Sequence, residues 1–112
     1  MGALSRRKGH DYERQICREL KKMGFLNCKT SRNGDRSRDA AGVDLLDTGC
    51  FNVQCKAIER GLNYSDILTA MPKGERYNII FHKRNRQQII VLEKKDFYEL
   101  LEMLIKNQII NI

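Results

Sequence analysis

The stretch GVDLLDTGCFNVQCKA, Gly42 to Ala57, decides how this chain is read. It has the form of a β-hairpin, two apolar arms joined by a turn that contains Thr48 and Gly49. In the second arm Phe51, Val53 and Cys55 alternate with Asn52, Gln54 and Lys56, so a period of two puts an apolar and a polar set on opposite faces. Gln54 and Lys56 share the polar face. A three-residue turn, Thr48 to Cys50, sets Asp44 opposite Gln54 on that face; a two-residue turn shifts the register by one and separates them.

Working outward, Tyr12, Ile16, Leu20 and Met23 follow one another at helical spacing, which predicts an amphipathic helix from about Asp11 to Met23 with Gly24 as its stop. Glu13 borders its apolar stripe. Residues 1–8 read as a flexible basic arm carrying Arg6, Arg7 and Lys8. FLNCKTS reads as a short strand, and RNGDRSRDAAG as a loop that leads into the hairpin. Beyond the hairpin, YSDILTAMP predicts a short helix from Ser65 closed by Pro72, and RYNIIFH and QQIIVLE predict a second hairpin around the turn KRNRQ. Asp96 with Glu99 resembles a capping box for a last helix striped by Phe97, Leu100, Leu101 and Leu104. The expected order is α-β-β-β-α-β-β-α, an α/β fold with a mixed central sheet flanked by helices.

At 112 residues the chain fits a single domain. No apolar run approaches the roughly 20 residues of a membrane span, and MGALSRRKG has no signal-type core, so a cytoplasmic location is expected. The four cysteines form no C-x-x-C unit, which argues for reduced thiols and against zinc. Net charge is +7, and it is unevenly placed: residues 1–38 hold 11 Lys/Arg against 4 Asp/Glu, whereas residues 39–112 hold 10 of each. The whole excess therefore lies in the first third, as expected of a surface that faces a polyanion.

Hydrolysis of a phosphodiester needs a hard cation to polarise the phosphoryl group, a positioned water and compensation of the charge that develops. Mg²⁺ takes oxygen ligands and keeps several waters. Asp44 supplies a carboxylate, Gln54 an amide oxygen and Cys55 a backbone carbonyl, while the Lys56 ammonium can orient the water and offset negative charge. Asp35 and Asp39 in the preceding loop fit turn roles better, because neither can share a strand face with Gln54.

An Asp opening a hairpin, the triplet Gln54-Cys55-Lys56 in the next strand and Glu13 on the preceding helix together resemble the PD-(D/E)xK nuclease superfamily. RRKGHDYERQICREL, SRNGDRSRDAAGVDLL, GLNYSDILTAM and IIFHKRNRQQIIVLEKKDFYELL are similar to segments of small phage and prophage Holliday junction resolvases related to the archaeal ones. The resemblance runs from Ser5 to about Leu104 and implies a restriction-endonuclease-like sheet. It also implies an Mg²⁺-dependent endodeoxyribonuclease, with Mn²⁺ as a substitute, working in a phage-infected cell or at the nucleoid. Glu13, Asp44, Gln54 and Lys56 are its implied catalytic residues, and Ser31 and Arg32 its clamps beside the scissile phosphate. The usual Glu of resolvases is Gln54 here, as in Mrr-type restriction nucleases, which removes one charge from the metal shell and gives Glu13 more weight as a second carboxylate.

DNA contacts are expected from Arg6, Arg7 and Lys8, from Arg32, Arg36 and Arg38 in the loop, and from Lys83, Arg84 and Arg86 in the distal turn. The absence of Trp and the few aromatic residues favour duplex or branched DNA over single strands. Paired cuts in a two-fold junction imply a homodimer. A nuclease on linear duplex, and a DNA-binding module silenced by Gln54, are the alternative readings.

Overall fold

The computed structural model describes residues 3–33, 41–59 and 63–112. Within them three α-helices accompany one mixed five-stranded sheet: α1 (Ala3–Met23), β1 (Lys29–Thr30), a 3₁₀ turn (Ser31–Asn33), β2 (Leu45–Leu46), β3 (Phe51–Ala57), α2 (Tyr64–Ala70), β4 (Tyr77–Arg84), β5 (Gln87–Leu92) and α3 (Lys94–Lys106). The strands lie in the order β1-β2-β3-β4-β5. Only β3 and β4 are parallel, and α2 lies in the connection between them. No helix among the described residues is long and apolar enough to cross a membrane.

α1 begins eight residues before the expected start, so Arg6, Arg7 and Lys8 belong to a helix and not to a flexible arm. The segment has no proline and no β-branched run, and Gly9 alone is too weak a breaker to stop propagation from the amphipathic part. Its first turns were missed because they carry no apolar stripe. The far end closes as expected: Gly24 takes φ 125°, Phe25 N–H returns to Leu20 O at 3.0 Å, and Lys21 and Lys22 sit where the helix dipole favours cations.

The core lies between α1 and one face of the sheet. Tyr12, Ile16 and Cys17 pack with Cys28, Leu45, Val53 and Cys55, and Phe25, Phe51 and Phe81 close the margins. Each fully buried aliphatic side chain there contributes about 1.5–3 kcal/mol by leaving water. All four cysteines are free thiols, and three are buried. Burial, followed by a hydrogen bond with Cys17, pushes the Cys28 thiol up to about 12.

The hairpin has the three-residue register. Leu45 stands opposite Val53, which by antiparallel counting places Asp44 opposite Gln54. The arm is not half-solvated, however: Asn52 and Gln54 are buried along with Val53 and Cys55. Asn52 spends its amide on Glu75 O (2.6 Å) and Asn78 Oδ1 (3.0 Å), tying β3 to the segment that enters β4.

Two further expectations are corrected. α2 is capped by Asn63, whose side chain accepts from Asp66 N–H at 2.8 Å. α3 starts at Lys94 behind Glu93, so Asp96 lies within the first turn and not at the cap. It is 2% exposed and paired with Lys95 Nζ at 3.1 Å, a buried ion-paired carboxylate that its spacing to Glu99 could not distinguish from a capping box.

Candidate active site

β2 begins only at Leu45, so the edge of β3 beyond Val53 has lost its ladder partner. Asp44 fills that place. Its N–H donates to Val53 O at 2.7 Å, its carbonyl accepts from Ser31 N–H at 2.8 Å, and its Oδ2 accepts from Cys55 N–H at 2.8 Å. A carboxylate thus finishes a β-ladder, which positions it without a flexible arm. Because the N–H and C=O of one strand residue face the same edge, the Cys55 carbonyl also opens beside Asp44.

Across this edge stands α1. Arg6, Gly9, His10 and Glu13 share one side of it, and together with Asp44, Gln54, Cys55, Lys56, Ala57 and Ile58 they line a cleft of about 260 Å³. The four residues expected to be catalytic are therefore in one cleft. Burial, then Asp44, then Glu13, drive the Cys55 thiol far above its usual range, so the group between the two carboxylates stays a neutral thiol.

Glu13 is nearly buried and paired with Arg32, whose guanidinium nitrogen lies 2.6 Å from Oε1. Arg32 therefore compensates a carboxylate of the cleft. Ser31 is fully buried and its N–H holds Asp44, so in this structure it offers no surface to a phosphate and acts on the site through Asp44. Arg36 and Arg38, like Asp35 and Asp39, lie outside the described residues. Lys8 pairs with Glu59 at 2.8 Å. Lys83 is over the Tyr12 ring, 5.9 Å from its centroid, and with Lys8, Asp11, Gln15, Arg18 and Asn85 it lines a neighbouring cleft of about 360 Å³. Arg84 and Arg86 are exposed at the β4–β5 turn. The cleft lined by Glu13 and Asp44 is the smaller of these two.

His10 was missed by the sequence reading. Its signal was the spacing Arg6, His10, Glu13, one face of a helix over two turns, invisible while residues 1–8 were read as an arm.

Among the described residues no group of three or more His, Cys, Asp or Glu side chains is set to hold a metal ion. Oxygen-bearing groups still gather at this edge. The end of the Gln54 amide that faces the hairpin lies 2.5 Å from Gly42 O and 3.0 Å from Asp44 Oδ2. With the Cys55 carbonyl nearby, this donor set fits a hard cation that keeps most of its waters, and not zinc. Comparison with family models, curated proteins and solved structures finds no match for this chain.

Proposed function

We propose that this chain is a divalent-cation-dependent DNA endonuclease of the PD-(D/E)xK type, with branched DNA such as a four-way junction as its preferred substrate. The observation that carries the reading is the single cleft in which Glu13, Asp44, Gln54, Cys55 and Lys56 meet, with Arg6 and His10 on its wall. Asp44, Gln54 and the Cys55 carbonyl would hold Mg²⁺ or Mn²⁺. The cation, when bound, supplies Lewis-acid polarisation of the phosphoryl oxygen. Lys56 orients the attacking water and offsets charge as the phosphorus becomes five-coordinate. Arg6, one helical turn before His10, meets the phosphate backbone at the mouth.

A second reading rests on one observation: Glu13 is engaged by Arg32 and Asp44 by the Gln54 side, so the carboxylates are satisfied within the chain. That suits a DNA-binding module without hydrolysis.

A homodimer is part of the main reading. Ile89 and Ile90 on the edge strand β5, Phe97 and Leu104 on α3, and Ile109 and Ile110 after it are each exposed. A strand at the sheet edge among the described residues, with isoleucines on both faces, is a liability that a second copy removes.

The test is cleavage of an end-labelled immobile four-way junction beside its matched linear duplex, with Mg²⁺ or EDTA. Cation-dependent paired cuts in the junction are expected, reduced on the order of 10³-fold or more in Asp44→Ala. Equal cutting of the duplex moves the assignment to a restriction-like nuclease, and tight binding without cutting moves it to the silent module.

A further inference from the structure

The inner end of the Gln54 side chain meets two acceptors, Gly42 O at 2.5 Å and Asp44 Oδ2 at 3.0 Å. An amide has one end that donates and one that accepts, so only its amino group satisfies both neighbours there. Turned that way, Gln54 is a seal. It bridges the carboxylate to the loop at the point where a cation would sit, and since the side chain is only 9% exposed, water cannot easily replace those bonds.

Rotated by half a turn, the same amide brings Oε1 to that place, beside both the Gly42 carbonyl and the Asp44 carboxylate. Mg²⁺ with ligands at about 2.0–2.1 Å sets neighbouring oxygens of its octahedron about 2.9 Å apart, whereas Ca²⁺ at 2.3–2.6 Å needs a wider set. The 3.0 Å separation between Gln54 and Asp44 is close to that octahedral edge, and the 2.5 Å separation from Gly42 is shorter, so the Gly42 carbonyl must draw back for a cation to enter. Gly42 has φ 84°, and the neighbouring Ala41 carbonyl accepts from Lys73 N–H at 3.3 Å, which anchors the loop that presents the Gly42 carbonyl.

We propose that the Gly42 carbonyl is an oxygen of the cation site and that Gln54 is its two-position switch, amino group inward to seal the site and oxygen inward to bind. This rests on the cation-dependent reading above, but its test needs no cleavage. A glutamate at this position has no donor for the sealed position, so the Gln identity makes the cation-free site self-satisfied.

The experiment is NMR of the full-length chain labelled with ¹⁵N and ¹³C, in EDTA and then with Mg²⁺. Without cation the Gln54 side-chain amide protons should exchange much more slowly than those of the exposed Gln88. Mg²⁺ should abolish that protection and shift the Gly42 carbonyl carbon together with Asp44. Unprotected Gln54 protons in EDTA overturn the seal. A shift at Asp44 that leaves Gln54 and Gly42 unmoved overturns the switch while leaving a cation-dependent nuclease intact, and no Mg²⁺ response at any of the three overturns both. As an independent check, Gln54→Glu should melt at least about 4 °C below wild type in EDTA at neutral pH and recover in Mg²⁺, because it sets a carboxylate against two acceptors. An unchanged melting temperature in EDTA also overturns the seal.

Discussion

His82 is the residue whose chemistry the fold uses least comfortably. It stands beside Lys56 in the parallel register of β3 and β4, buried, with no hydrogen-bond partner for Nε2 among the described residues. Burial first, and the Arg84 charge second, hold its pKa below the usual value near 6.5. Below about pH 6.5 the unfolded chain takes up a proton that the native chain resists, so the unfolded state binds more protons and stability falls as the pH falls. We expect the urea midpoint to drop between pH 7 and pH 5, and the drop to be smaller in His82→Phe. Parallel pH dependences in the two proteins would remove His82 from this account. At the same scale Gly74 is confined by Asn52: a Cβ there would lie 2.4 Å from the Asn52 amide nitrogen, and that amide is already bound to Glu75 O.

Among the elements, α1 does the most to assemble the site, since one side of it fills the core through Tyr12, Ile16 and Cys17 and another brings Arg6, His10 and Glu13 to the cleft. Its N-terminal turns matter for that second role. Gly9 lies inside the helix, and a Cβ added there meets nothing within 4 Å among the described residues. Gly9→Ala should therefore raise stability by about 0.5–1 kcal/mol, as removal of an unneeded glycine does in a helix interior. Denaturant unfolding checks this, and a neutral or negative effect would mean that the turn holding Arg6 is not stably helical. β2 contributes by being short: a longer strand would pair the edge beyond Val53 through its backbone and leave the Asp44 carboxylate no ladder position to fill.

Over the described residues, buried apolar side chains gather between α1 and β1–β3 and continue into β4 at Ile79 and Ile80, while exposed ones include several on β5, α3 and the tail besides Met23, Leu26, Tyr64 and Leu68. Ile89 and Ile90 are each 53% exposed and Ile109 is 69% exposed, values a solitary chain gains nothing from. A stable interface covers about 800 Å² per partner, so a dimer would need to bury several of these side chains at once. Wild type should sediment as a dimer at micromolar concentration, and Leu104→Glu combined with Ile90→Lys should sediment as a folded monomer. A wild-type monomer under those conditions would rule out a stable dimer.

Much of this was written locally. The alternation of Phe51, Val53 and Cys55 was enough to put Gln54 and Lys56 on one face, because side chains on a strand repeat with a period of two, but the turn length that sets Asp44 across from Gln54 was open between two and three residues, and the pairing of Leu45 with Val53 decides it. The stripe of Tyr12, Ile16 and Leu20 was enough for the core helix. Other features depend on contacts between segments far apart in the chain. The helical state of Arg6 to Lys8, the pairing of Glu13 with Arg32, the burial of Ser31 and Asp96, and the convergence of Gly42 O with the Gln54 amide are of this kind. Such contacts are set by desolvation and by the accounting of hydrogen-bonding groups in three dimensions, and no local period records them. Sequence alone determined which groups could meet on one strand face; tertiary packing decided which of them are sealed, which are paired and which face the cleft.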